Sequence, residues 1–179
     1  MSTFLETGIQ IAREAGALAR TYFDRRIPFE LKGEFDLVTE ADRNSEKLIV
    51  SRLRESLPEH DIVGEEGHGH LTGAEYRWYV DPVDGTTNFA HGFPVFAVSM
   101  GLERSGEMVA GIVYDPTRDE MFAAERGAGT WLNGAPARVS RVPVLDEALV
   151  ATGFPSRKRH ANINIHFYYE LAMRTHGVR

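Results

Sequence analysis

Apolar residues recur at helical spacing through the first stretch of the chain: Phe4, Leu5, Gly8, Ile9, Ile11, Ala12, Ala15, Leu18, Ala19, Tyr22 and Phe23. Positions three and four apart share a helix face, so the pattern predicts one long amphipathic helix, opened by a capping box from Thr3 to Glu6. Pro28 and Gly33 punctuate the segment after it. A second helix is predicted from about Glu40 to Ser56, with Leu48, Ile49, Leu53 and Leu57 turned inward and Pro58 as its stop.

The period then shortens. Asp61-Ile62-Val63-Gly64-Glu65-Glu66 and Arg77-Trp78-Tyr79-Val80-Asp81 read as short strands that end in acids, separated by a loop carrying Gly67, Gly69 and Gly73. Residues 95–103, 107–115 and 119–125 continue as an antiparallel meander, and Asn133-Gly134 within 127–137 is a two-residue hairpin turn. One more strand is predicted over 147–152, then a last helix with Phe167, Tyr168, Leu171 and Ala172 that runs to a stop at Gly177. The aromatic group Phe167, Tyr168 and Tyr169 reads as core or interface packing. Helices around a largely antiparallel sheet predict a layered α/β (α+β) sandwich. A subdomain seam is expected near 137–145. Val178 and Arg179, after Gly177, look like a strand begun and cut, so a C-terminal truncation is expected.

Composition narrows the picture. Hydrophobic residues make up 42% and charged residues 26%, the mix of an ordinary folded domain, which sets aside disordered and collagen-like chains. With 20 Lys and Arg against 26 Asp and Glu the net charge is −6, a poor footprint for general nucleic-acid binding. The absence of cysteine removes disulfide scaffolds, thiolate metal sites and cysteine nucleophiles. No apolar run has membrane-spanning length and no signal peptide is read, so a cytoplasmic protein without membrane contact is expected.

Candidate chemistry is concentrated in Asp81-Pro82-Val83-Asp84-Gly85-Thr86-Thr87-Asn88-Phe89, directly after the apolar strand Trp78-Tyr79-Val80. Asp-Pro and Asp-Gly alone are common turn dipeptides, and threonines commonly cap helices. Nine residues that combine two carboxylates, a rigidifier, a glycine and two hydroxyls are far more specific. Pro82 fixes its own φ and biases Asp81 to extended geometry, so both carboxylates leave a tight bend and can point into one site. Gly85 allows a close backbone approach just before amides that open a helix N-terminus, a ready anion site. Glu65, at the end of the preceding apolar strand, can be brought beside Asp81, and Asp42 lies at the start of the second helix. His68 and His70 read as exposed loop residues, and Arg157-Lys158-Arg159-His160 as a solvated basic helix start.

These residues resemble the inositol monophosphatase family, magnesium-dependent and lithium-sensitive phosphomonoesterases. The likeness runs in order through Val38-Thr39-Glu40-Ala41-Asp42, Gly64-Glu65-Glu66, Asp81 to Phe89, Gly129-Thr130-Trp131-Leu132-Asn133-Gly134 and Thr152-Gly153-Phe154-Pro155. The Thr-Thr-Asn-Phe ending is more similar to the inositol monophosphatase branch than to the nucleotidase branch.

The resemblance implies an inositol monophosphatase and fructose-1,6-bisphosphatase-like fold, and two or three Mg2+ ions, with Li+ as an inhibitor. Glu65, Asp81 and the carbonyl of Val83 would hold one ion, and Asp81 would bridge to a second held by Asp84. Gly85, Thr86 and Thr87 would receive the substrate phosphate beside Asp84, while Asp42 would pair with Thr86, and these two with Glu65 would activate a water. Glu66 would support the ligands from behind and Lys32 would line the entrance. The family makes the Gly67–Gly73 loop mobile and able to bring in a third, weak ion.

On this likeness residues 1–140 form an N-terminal metal- and phosphate-binding α+β subdomain and 141–179 begin a C-terminal α/β subdomain. Family members carry a later Trp-Asp motif that completes the second metal site. Here Trp78 and Trp131 are followed by Tyr79 and Leu132. The implied activity is hydrolysis of a small phosphorylated polyol, foremost myo-inositol 1-phosphate, by a homodimer. The alternatives are a nucleotide 3′-phosphate, fructose 1,6-bisphosphate or histidinol phosphate as substrate, or a regulatory partner-binding protein on the same fold.

Overall fold

The computed structural model of the chain describes residues 2–26, 29–31, 37–154 and 163–179. Helix α1 spans Thr3–Arg25 and buries Leu5, Ile11, Ala12, Ala15 and Ala19 along one stripe. Its cap sits one residue earlier than the capping box predicts: Ser2 is extended, and its hydroxyl accepts from the Leu5 amide at 3.4 Å. Arg26 closes the helix in the left-handed region. A short antiparallel pair that the periodicity does not predict comes next, β1 (Phe29–Leu31) with β2 (Leu37–Thr39). It leads straight into α2, Glu40–Ser56, whose bounds match the sequence expectation.

Seven strands then form one sheet in chain order: β3 (Asp61–Gly64), β4 (Tyr76–Asp84), β5 (Ala97–Arg104), β6 (Glu107–Asp115), β7 (Glu120–Glu125), β8 (Gly129–Leu132) and β9 (Ala135–Pro136). Five of the six pairings are antiparallel, while β3 and β4 run parallel because the 65–75 connection carries the chain back before β4 begins. A short helix α3, Thr86–Ala90, succeeds β4. The Asn133-Gly134 turn joins β8 to β9 with φ of 49° and 81°, the positive pair a type I′ turn requires.

Strand side chains alternate between faces. Trp78, Val80, Val98, Met100, Leu102 and Ile112 join Leu5, Ile11, Ile49 and Leu53 in the core under α1 and α2. Tyr79, Val113 and Phe122 are exposed. A second cluster of Ala19, Ala41, Val83, Phe89 and Phe96 ties α1, α2 and α3 to the end of β4.

The contacts divide the chain into two units, one including α1 with Leu37–Ala137 and the other Arg138–Arg179. In the second unit the predicted 147–152 strand is reduced to β10, Leu149–Val150, after a single 3-10 turn at Leu145–Glu147. Helix α4, Ile163–Ala172, ends before Gly177, which instead opens β11 (Gly177–Val178), parallel to β10. Phe167, Tyr168 and Tyr169 are exposed within this unit rather than forming a core. The molecule is thus mixed α/β, with a mainly antiparallel sheet flanked by helices. Among the described residues no helix is long and apolar enough to cross a membrane.

Candidate active site

The nine-residue motif straddles the end of β4 and all but the last residue of α3. Asp81 to Asp84 remain part of the strand rather than forming a separate bend. The register slips within them: Asp81 faces Ser99 while Asp84 faces Ala97, a bulge in which three steps of β4 oppose two of β5. Pro82 has no N–H for the ladder and is accommodated where pairing is broken. The bulge turns successive acids toward a common side, which regular alternation would forbid.

Gly85 comes next with φ 100°, a conformation that L side chains rarely adopt. A Cβ there would lie 3.1 Å from the Val95 carbonyl oxygen and 3.3 Å from Phe96 Cα, so space and backbone both call for glycine. Gly85 caps α3, whose first amides, from Thr86 onward, have no carbonyl one turn back to bond. Phe89 braces the helix from behind, with ring centroids 5.5 Å from Phe23 and 4.9 Å from Phe96.

Asp42 is only 3% exposed, on the first turn of α2. The Thr86 hydroxyl lies 3.3 Å from Asp42 Oδ1 and 3.1 Å from the Val83 carbonyl, two acceptors for one proton. Val83 is buried, and its amide donates to Asp81 Oδ1 at 3.1 Å.

Glu65 comes directly after the last residue of β3, and its amide donates to the Val80 carbonyl at 3.2 Å, which sets it beside Asp81. Burial pushes the Asp81 carboxyl up to about 8, and the neighbouring Glu65 and Asp84 charges push in the same direction. Glu65 also shares a hydrogen bond with it. A carboxyl crowded by like charges is stabilised by a cation placed among them. Among the described residues no three His, Asp or Glu side chains are already gathered as a metal cage. The donors themselves, carboxylate oxygens and a backbone carbonyl, are those of a hard divalent cation, and their mutual repulsion is what such an ion relieves. Glu65 and Asp81 also line a cleft of about 680 Å³ with Val63, Tyr79 and Ser99.

The structure thus brings together Glu65, Asp81, Val83, Asp42 and Thr86, with Asp84, Gly85 and Thr87 contiguous with them. Lys32 lies outside the described residues, as do Gly33 and the basic run Arg157 to His160. The Glu66 amide donates to Glu46 at 2.6 Å.

Two buried acids escape a sequence reading. Glu46 is fully buried in α2 and accepts from the amides of Glu66 and His68, and the His68 ring Nδ1 lies 2.7 Å from its Oε1. Asp61 is likewise enclosed and accepts from the amide and hydroxyl of Thr72 and the amides of Gly73 and Ala74. Between these two anchors Ile62 and His70 exchange backbone bonds of 2.7 Å. The 65–74 segment is therefore fastened at three points, and His68, expected as an exposed loop residue, takes part in one of them.

A model of the inositol monophosphatase family matches residues 1–179. The chain is 42% identical over 187 residues to Nus factor SuhB of Pseudomonas aeruginosa, covering 100% of this chain and 69% of that one. It is 42% identical over 158 residues to an inositol-1-monophosphatase of Rhizobium meliloti, covering 86% of this chain and 59% of that one. Its fold superposes on the crystal structure of the extragenic suppressor protein suhB of Bartonella henselae with a TM-score of 0.91 at 36% identity, over 99% of this chain and 70% of that one.

Proposed function

Because this chain belongs to the inositol monophosphatase family, we propose that it carries the metal and phosphate half of a Mg2+-dependent phosphatase acting on a small phosphate monoester, foremost myo-inositol 1-phosphate. The observation that carries this is the crowding of Asp81 by Glu65 and Asp84 next to the glycine-opened helix at Thr86. Glu65, Asp81, Asp84 and the Val83 carbonyl would hold magnesium. When bound, the metal neutralises phosphate charge and acidifies water.

The chain's own residues do the rest. The amides that open α3 receive phosphate oxygens, and Asp84 stands at the same edge. Thr86, with one hydroxyl proton directed to Asp42 or to Val83, presents a lone pair to a water and so orients it toward phosphorus. Asp42, buried and aimed at that hydroxyl, is the acceptor that draws the proton away. Residues 1–140 as the metal- and phosphate-binding subdomain, 141–179 as the start of a second one, a homodimer and a cytoplasmic location belong to the same proposal.

The test is Mg2+-dependent phosphate release by the full-length protein from a panel of inositol 1-phosphate, nucleotide 3′-phosphate, fructose 1,6-bisphosphate and histidinol phosphate. Release that is fastest from the inositol ester and lost in Asp84→Asn is expected; no release from any of them overturns the proposal. A regulatory reading on the same fold is favoured by one observation, the name Nus factor SuhB borne by relatives at 42% and 43% identity. It predicts a partner interaction that survives Asp84→Asn.

A further inference from the structure

We infer that Glu46 is a positioning residue for Glu65: its buried carboxylate grips the turn after β3 and so sets where the Glu65 side chain stands against Asp81. Glu46 belongs to α2, far in sequence from that turn. Its Oε2 takes the Glu66 amide at 2.6 Å, and its Oε1 takes the His68 amide at 2.9 Å. Glu65 is thereby held from both sides, since its own amide is bonded to Val80 and the next amide is bonded to Glu46. Gly64 shows how close this grip is: a Cβ on it would lie 2.6 Å from Glu46 Cδ, so the carboxylate sits directly under the backbone that leads into Glu65. A buried carboxylate is costly unless it is hydrogen-bonded, as Glu46 is, and hydrogen-bonded supports behind metal ligands fix where those ligands stand. Nothing in the proposed chemistry touches Glu46 itself.

The inference rests on the magnesium site proposed above, and calorimetry of Mg2+ binding to the full-length protein separates the two. The parent protein should bind Mg2+, and Asp84→Asn should weaken that binding. Glu46→Gln puts an amide NH2 where one acceptor stood and should weaken Mg2+ binding by about 10-fold or more, the range for lost supports of metal ligands. In the metal-free protein the Glu66 and His68 amides should then exchange with solvent much faster. Asp61→Asn, which loosens only the far end of the same loop, should lower the melting temperature and leave Mg2+ affinity unchanged. Should Glu46→Gln fail to fold, Gly64→Ala displaces the same carboxylate sterically and should weaken Mg2+ binding alike. Unchanged affinity in Glu46→Gln or in Gly64→Ala overturns the inference, and so does an equal loss in Asp61→Asn. No Mg2+ binding by the parent overturns the metal reading and this inference with it; binding lost in Asp84→Asn yet intact in Glu46→Gln overturns the inference alone.

Discussion

The hydroxyl of Thr86 and Oδ1 of Asp42 stand 3.3 Å apart, linking the first turns of α3 and α2 across 44 positions of sequence. The pair connects a buried carboxylate to the start of α3, where phosphate is proposed to sit, through a hydroxyl.

Asp42→Asn keeps the shape of that pair and removes the proton acceptor. Initial-rate kinetics at saturating Mg2+ should show kcat lowered by about 10²- to 10⁴-fold, the usual worth of positioned acid-base groups, with KM little changed. Thr86→Ala should match it, and Thr86→Ser, which restores a hydroxyl, should recover most of the rate. A large rise in KM with kcat intact would show that the pair only binds substrate.

Asp81→Asn removes a carboxyl that burial, reinforced by the Glu65 and Asp84 charges, holds near 8. The sign is opposite to that of a salt-bridged acid. With the folded-state value raised above the ordinary 3.8, ionisation destabilises the fold progressively as pH rises from about 4 to about 8. In the presence of EDTA at pH 8 the variant should melt a few degrees above the parent, and adding Mg2+ should raise the parent and leave the variant unmoved. Equal melting of both proteins in EDTA would show that the carboxyl is not under strain.

Asp61 behaves in the reverse way. The Thr72 amide, helped by the Thr72 hydroxyl and the Gly73 and Ala74 amides, holds its carboxyl down at about 2, below the ordinary 3.8. Its stabilising contribution is complete above about pH 4 and is lost as pH falls from there toward 2. Urea midpoints taken between pH 2 and 5 should decline on that limb for the parent and take a flatter course for Asp61→Asn. Parallel curves would count against it.

Gly8 sits in α1 where a Cβ would come within 2.5 Å of Ile112 Cδ1 and 2.9 Å of the Trp78 ring. Alanine would gain about 1 kcal/mol of helix propensity. Overpacking a well-filled core costs about 1–3 kcal/mol, and the fully buried Trp78 ring cannot retreat. Denaturant unfolding of Gly8→Ala should therefore show a net loss, reduced when Ile112→Val is added. A net gain would mean that the helix tilts away from the sheet at little cost.

The candidate site was legible where its residues are local. Asp81, Asp84, Gly85 and Thr86 lie within one short run, and their company in it made each of them specific. Glu65 and Asp42 were legible only beside that run, since a glutamate after a strand and an aspartate at a helix start both have ordinary explanations. Glu46 was not legible: in a helix containing Glu40, Asp42, Arg43 and Lys47 it reads as one more solvated charge, and its burial depends on where a loop 20 residues away comes to rest. Helix α2 matched because its period and Pro58 are intrinsic to the segment. The helix stop expected at Gly177 failed because that glycine's pairing with Leu149 lies outside any local window.

The ring of Phe23, near the C-terminal end of α1, rests against Phe89 of α3 and Phe96, with centroid distances of 5.5 and 5.0 Å. A helix whose other end is capped at Ser2 thus serves as a backstop for the amides proposed to cradle phosphate. Shaving that ring would leave every reactive atom in place and blur their aim, so wear at the back of the seat would register as imprecise grip on substrate rather than as missing chemistry.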